Sequence, residues 1–192
     1  PWIRTYARSG GAWSFARSKA SDPFWETNIG LWGMALAQRI VTDHQIPVCF
    51  INGAVGGTRI DQHQANPADH TVAGSLYSIY ANLLNRVIGA NLTHGIRGVF
   101  WHQGESDCSN FGPISDYDYT TYQQLFLNMS SAWKQDYPNL QRYIIYQVMP
   151  KPCSMGPKGD QLREVQRNLP RLYSKMNILN TLGLAGYEGC HF

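Results

Sequence analysis

A run of four residues, His102-Gln103-Gly104-Glu105, directly follows an apolar stretch of the chain that is typical of a buried strand. In a parallel α/β sheet, ligands bind outside the carboxyl ends of the strands, so this change of character predicts a functional site. Gln103 carries an amide that can donate a hydrogen bond to a developing oxyanion. Glu105 carries a carboxylate that can orient a histidine. The alternative is a polar network that only caps the next segment.

A second stretch, residues 53–58, is rich in glycine and follows another apolar run. Its Gly57 can bring a bare backbone N–H close to a ligand, as an oxyanion hole requires. A plain tight turn is the alternative, and the stretch matches neither the dinucleotide-binding nor the phosphate-binding glycine pattern. Thr58 at its end and His63 shortly after it are candidate substrate contacts, as is His102.

The third stretch lies near residue 192, where Glu188 is followed three residues later by His191. A histidine with a nearby carboxylate can form the general base and orienting acid of a nucleophilic triad. A pair of this kind is also common among surface polar residues. The function of these two residues therefore depends on what else the fold brings to them.

Four of these residues, His102, Glu105, Glu188 and His191, are also potential metal ligands, which makes a metal-dependent hydrolase an alternative interpretation. His102 and Glu105 can supply the short-spaced pair that catalytic zinc sites use. That interpretation leaves Gln103 without a role. We therefore expect neither a metal ion nor another cofactor.

The elements that must position these residues follow from the apolar spacing along the chain. Helices are predicted over 30–44, 72–92, 117–135 and 160–173, and strands over 2–7, 48–51, 96–102, 142–148 and 177–182. The first strand is predicted at a sheet edge, and the continuous apolar run 48–51 is predicted to be buried on both faces. Strands that alternate with helices predict an open parallel sheet with helices on both faces.

Composition limits the classes of protein that need to be considered. The 192 residues fit one domain over 1–192, and 43% hydrophobic residues are enough for a full core. The net charge of +3 is not concentrated in runs, so nothing indicates nucleic-acid binding. No apolar run approaches the roughly twenty residues of a membrane span, so no membrane partner is expected.

The four cysteines are too widely spaced for a zinc knuckle or a CxxC redox pair. Cys49 lies in an apolar run and is predicted to be a buried thiol. Cys108 and Cys153 both lie in loops that follow strands, so a disulfide between them is conceivable in an oxidising compartment.

Taken together, the three stretches resemble the SGNH hydrolases, in the branch that holds acetylxylan esterases and sialate O-acetylesterases. Residues 51–60, INGAVGGTRI, resemble the glycine block of that family, and residues 101–106, WHQGES, resemble its HQGE block. Residues 188–192, EGCHF, stand where the family has its terminal DxxH motif. The resemblance implies a three-layer α/β sandwich with a parallel, flavodoxin-like sheet, and an esterase that removes acetyl groups from acetylated sugars.

The resemblance also implies roles for individual residues. His191 is the implied general base, and the backbone N–H near Gly57 and the amide of Gln103 are the implied oxyanion donors. The carboxylate that orients His191 is either Glu188, at the family's usual Asp position, or Glu105, because relatives in this branch can use the glutamate of HQGE.

One part of the family pattern is missing, because no GQSN-like nucleophile block occurs in this sequence. Ser106 is no substitute, since the residues after it lack the closing glycine of a GxSxG elbow. We therefore expect the nucleophilic serine, the first strand that carries it and the C-terminal helix to lie outside residues 1–192. A non-catalytic carbohydrate-binding domain that keeps the esterase fold is the alternative. Acetylated glycans lie mostly outside cells, which favours a secreted protein.

Overall fold

The computed structural model describes residues 2–8, 10–18, 27–74, 76–108, 118–150 and 158–183. Its strands are β1 (Ile3–Tyr6), β2 (Trp13–Phe15), β3 (Val48–Cys49), β4 (Gly98–His102), β5 (Arg142–Tyr146) and β6 (Met176–Leu179). Its helices are α1 (Gly30–His44), α2 (Ser78–Gly89), α3 (Tyr119–Asp136) and α4 (Lys158–Asn168). Short 3-10 turns cover Ile60–His63, Ser106–Cys108 and Leu169–Arg171.

The strands form two three-stranded sheets, in the orders β2-β1-β3 and β4-β5-β6. In the second sheet all strands are parallel, and Trp101 of β4 lies opposite Ile145 of β5, which lies opposite Ile178 of β6. Helix α3 connects β4 to β5, and α4 connects β5 to β6. The predicted α/β fold with a parallel sheet is therefore confirmed.

Helices cover both faces of the β4-β5-β6 sheet, because successive side chains of a strand point to opposite faces. On one face, Trp101 packs against Trp133 of α3, with ring centroids 5.5 Å apart. On the other face, Phe100 and Tyr146 contact Trp32 of α1, with centroids 5.3 and 5.4 Å away. The result is the three-layer arrangement that the sequence predicted.

The first sheet departs from the prediction in two places. The strand predicted at an edge, β1, lies in the middle, since it pairs with β2 through a hairpin and with β3 in parallel. Gly10 and Gly11 form the hairpin turn with positive φ angles of 73° and 55°. Conversely, among the described strands β3 pairs with β1 alone, and Cys49 is exposed rather than buried as predicted.

Helix α2 begins six residues later than predicted, because the segment before it makes its own turns. In that segment the N–H of Tyr77 donates to the carbonyl of Gly74 at 3.1 Å. Just before it, the side chains of Asn66 and Asp69 accept hydrogen bonds from the backbone N–H groups two residues further on, at 3.1 and 2.8 Å. Such side-chain turns compete with a helix. The segment is then fixed to α3, because Asp136 accepts from Tyr80 and contacts His70, at 2.5 and 2.9 Å.

Two further predictions can be compared with the structure. Cys108 is a buried free thiol that donates to the carbonyl of Gly104. Cys153, its predicted disulfide partner, lies outside the described residues. Within the described residues, every helix is too short or too polar to cross a membrane.

Candidate active site

The HQGE block forms a tight reversal directly after β4. Gly104 has φ +143°, and a Cβ there would lie 2.7 Å from Leu162 and 2.9 Å from Val148. Only glycine fits this position, both for conformation and for space. The chain then enters the 3-10 turn Ser106–Cys108, where the N–H of Asp107 donates to the carbonyl of Gly104 at 3.0 Å. The reversal brings the Asp107 carboxylate back to the side chain of Gln103.

The side chain of Gln103 connects the HQGE block to the glycine block. Its Nε2 donates to the carbonyl oxygen of Thr58 at 2.9 Å and to Oδ2 of Asp107 at 2.5 Å. Both oxygens of the Asp107 carboxylate accept from the backbone N–H of Ile60 at 3.3 Å. The ends of two segments that are distant in sequence are therefore joined through one amide and one carboxylate.

Asp107 is a buried carboxylate, with 2% of its surface exposed. Burial raises its pKa to about 7, because desolvation outweighs the hydrogen bonds from Gln103 and Ile60 that lower it. Of the nearby charges, Asp61 raises this pKa and Arg59 lowers it. The sequence reasoning missed Asp107. The signal for it was an acid four residues after Gln103, in the same polar stretch as the HQGE block.

Side chains of two helices donate hydrogen bonds to the backbone of Gln103. Its carbonyl oxygen accepts from the hydroxyl of Tyr122 on α3 and from Nε2 of Gln166 on α4, each at 3.0 Å. Tyr122 in turn accepts from the indole of Trp101 at 3.0 Å, and Gln166 accepts from the N–H of Val148 at 2.9 Å. Sequence reasoning missed Tyr122 and Gln166 as well, because nothing in their helical spacing marks them as polar supports.

Thr58 and His63, both predicted to contact substrate, contact each other. The Thr58 hydroxyl donates to the carbonyl of Val55 at 2.7 Å and lies 2.8 Å from Nε2 of His63. Because the hydroxyl has one proton, His63 must donate from Nε2. His63 is buried and packs edge-on against Trp101, with centroids 5.1 Å apart. Desolvation lowers its pKa to about 4, although Asp61 raises it, so the ring is neutral at pH 7.

Gly57 lies at the exposed tip of the glycine block with φ +71°. A Cβ there would meet no atom within 4 Å, so the backbone conformation, rather than space, favours glycine. Within the described part of the chain, no hydrogen bond uses the N–H of Gly57. Its role as an oxyanion donor stays a prediction.

The second predicted oxyanion donor, the side-chain amide of Gln103, already makes hydrogen bonds within the protein. Both protons on Nε2 of Gln103 are already directed at Thr58 and Asp107. The Oε1 atom of Gln103 is buried and has no partner among the described residues. A hydrogen bond from this amide to an oxyanion requires one of the two existing bonds to be released or shared, and the donor role stays a prediction.

His102 and Glu105 form a pair at the rim of the site, with Nε2 and Oε1 3.4 Å apart. Their side chains are 27% and 13% exposed. The His102 ring also lies near Tyr146 of β5, with centroids 6.1 Å apart. Glu188 and His191 lie outside the described residues, so the carboxylate that orients His191 stays a prediction. Across the ranges that the structure describes, no three metal-ligating side chains form a cluster that can hold a metal ion.

Comparison with known proteins places this arrangement in a family. A family model for carbohydrate esterases of the sialic acid-specific acetylesterase type matches residues 13–192. The chain belongs to this family. Membership confirms the resemblance to the carbohydrate acetylesterase branch that the glycine, HQGE and terminal blocks indicated in the sequence.

The fold of this member of the acetylesterase family is also that of a solved protein. The crystal structure of XAC1771, described as a novel carbohydrate acetylesterase from Xanthomonas citri, superimposes with a TM-score of 0.65 at 17% identity. The match covers 99% of this chain and 45% of that protein, so the chain spans less than half of its length. A search among curated proteins gives no match.

Proposed function

We propose that the protein is a carbohydrate O-acetylesterase, which removes acetyl groups from acetylated sugars by a serine-histidine-acid mechanism. The observation that carries the proposal is the hydrogen bond from the Gln103 amide to the carbonyl of Thr58, which joins the HQGE block to the glycine block one residue after the exposed Gly57. The matched family supports the reaction class.

In the proposed reaction, His191 takes the proton of a serine hydroxyl while the serine oxygen attacks the acetyl carbonyl carbon. The carbonyl electron pair moves to its oxygen, and the N–H of Gly57 donates to that oxyanion. The intermediate collapses, and the sugar oxygen leaves with the proton from His191. Water then attacks the acetyl-enzyme by the same proton path, releasing acetate and restoring the serine. We place the serine outside these 192 residues, because no GQSN-like block occurs among them.

The second oxyanion donor and the orienting acid are the finer parts of the proposal. We assign the donor to Gln103, which must release or share one of its two present hydrogen bonds. We assign the orienting acid to Glu105 ahead of Glu188. Glu105 lies two residues after the proposed donor Gln103, its side chain is 13% exposed, and its Oε1 lies 3.4 Å from Nε2 of His102. The substrate is an acetylated carbohydrate, and an extracytoplasmic location follows from where such glycans occur.

The test is acetate release by the full-length protein from acetylated xylan, from O-acetylated sialic acid and from p-nitrophenyl acetate. We expect hydrolysis of all or some of these that persists in excess EDTA and is lost on His191→Ala. Activity that H191A leaves intact contradicts the proposed base. Activity that a chelator abolishes favours a metal-dependent hydrolase, and sugar binding without acetate release favours a carbohydrate-binding domain that keeps the fold.

A further inference from the structure

We propose that Asp107 is a positioning residue of the esterase site: its buried carboxylate fixes the glycine block against the HQGE block and thereby sets where the N–H of Gly57 lies. This inference rests on the proposed function. It concerns a residue outside the triad and the oxyanion donors, and one that touches no reacting atom itself.

The first step is the pattern of donors and acceptors around Asp107. The carbonyl of Thr58 can only accept, and the ionised carboxylate of Asp107 can only accept. The Gln103 amide lies between these two acceptors and donates one Nε2 proton to each of them. Its own oxygen is left buried with no described partner, which is normally unfavourable. The two acceptors therefore decide how Gln103 is oriented.

The second step is the contact between Asp107 and the glycine block itself. The Ile60 N–H that points at both carboxylate oxygens belongs to the first residue of the 3-10 turn after this block. Gly57 lies three residues before Ile60, and Thr58 lies between them. The tip of the block, residues 54–57, is exposed. Arg8 and Thr58 hold the first part of the tip, since they donate to the carbonyls of Ala54 and Val55, each at 2.7 Å. Asp107 and Gln103 hold the end of the block that follows Gly57, through Ile60 and Thr58.

The third step is the stability that the protein loses by burying the Asp107 carboxylate. Among the described residues, Asp107 has no ion-pair partner, since Arg59 pairs with Asp61 at 2.9 Å instead. A buried carboxylate without a cation reduces stability compared with a neutral residue of the same shape. Costs of this kind are concentrated at functional sites. Asn at 107 has the same shape, but it places an NH₂ against either Gln103 or Ile60, both of which are donors.

The test compares Asp107→Asn with Asp136→Asn in the full-length protein. Asp136 is a similarly paired carboxylate at the end of α3, with two donors and no part in the site. We expect wild type to release acetate, D107N to lower kcat at least about tenfold with a smaller change in KM, and D136N to keep kcat. Melting temperatures separate these effects from unfolding, since a merely structural role of Asp107 changes the melting temperature but leaves kcat of the folded protein unchanged.

A second measurement uses the wild-type protein and does not depend on the folding of D107N. The groups that interact electrostatically with Asp107 are the titratable and charged side chains of Arg59, Asp61, Cys108 and Tyr122. Its carboxylate titrates near pH 7 in this environment. In ¹⁵N spectra between pH 5 and 9, we expect the Gln103 side-chain amide, the Ile60 N–H and the Gly57 N–H to shift with one shared midpoint.

The outcomes are separable. Wild-type kcat in D107N, or a Gly57 N–H that stays still while Ile60 and Gln103 shift, overturns the positioning role and leaves the esterase proposal standing. An inactive wild-type protein contradicts the proposed function first, and with it the role given to Asp107.

Discussion

Nε2 of Gln103 lies 2.9 Å from the carbonyl oxygen of Thr58, so one hydrogen bond joins the end of β4 to the end of the glycine block across 45 residues of chain. The bond therefore connects the loop that carries Gly57 to the block that carries Glu105. The consequences can be measured one residue at a time.

Substituting Gln103→Glu should destabilise the fold strongly. The change replaces two donors by acceptors that face the Thr58 carbonyl and the Asp107 carboxylate in a buried position. Uncompensated charge of this kind costs about 3–5 kcal/mol. Urea denaturation measures the loss, and Gln124→Glu on the exposed side of α3 is the matched control, for which little change is expected. Equal stability of the two variants would show that the Gln103 amide is not in this network.

Substituting Gly57→Ala should reduce activity, while Gly56→Ala should not. Both glycines are exposed and an added Cβ meets no atom within 4 Å at either position, but only Gly57 has a positive φ, of 71°. An L-residue at that φ costs roughly 1–2 kcal/mol, so the loop shifts and moves its N–H. We expect kcat to fall about tenfold or more in G57A. Equal kcat in the two variants contradicts the role of this N–H.

Comparing Glu105→Gln with Glu188→Gln should identify the acid that orients His191. Loss of the orienting carboxylate from a triad lowers kcat by about 10⁴, because the histidine loses its tautomer and the stabilisation of its charged form. We expect this loss in E105Q and a smaller one in E188Q, measured as acetate release. The reverse order would assign the role to Glu188.

The stability contributed by His63 should disappear as the pH falls. Its pKa is about 4 in the folded protein and 6.5 in the unfolded chain. The contribution of His63 to stability is therefore complete above pH 6.5 and is lost progressively between pH 6.5 and pH 4. Substituting His63→Gln keeps a donor toward Thr58 and removes the titration. We expect the free energy of unfolding of H63Q relative to wild type to rise by about 2–3 kcal/mol between pH 8 and pH 4.5.

The effect of Asp107 on stability changes with pH in the opposite direction over a similar pH range. The contribution of His63 must therefore be measured as the difference between H63Q and wild type. Its pKa is raised from 3.8 to about 7, and its unfavourable effect on stability therefore grows as the pH rises from 4 to 7. The two groups partly cancel in wild type. If the difference between H63Q and wild type stays constant with pH, His63 is not buried as a neutral ring.

Much of the fold could be predicted from local patterns. Helix α1 has the bounds that its apolar spacing predicts, and β4 and β5 each lie within a predicted strand. The order of strands and helices was enough to predict a parallel sheet, because parallel strands need crossover helices. The exposure of Cys49 on β3, which pairs with one described strand, could not be predicted, since an apolar run of four residues does not tell how a strand is covered.

By itself, the sequence determined the chemistry available at the site: Gly57, Gln103 and Glu105 were found because a strand end changes from apolar to polar at a fixed place in the chain. Only the tertiary structure decided which of these side chains are free. Gln103 turned out to be engaged with Thr58 and Asp107, and His63 to be buried under the loop. The physical reason is that a polar group's partners are set by contacts across many residues of chain, and no local spacing encodes them.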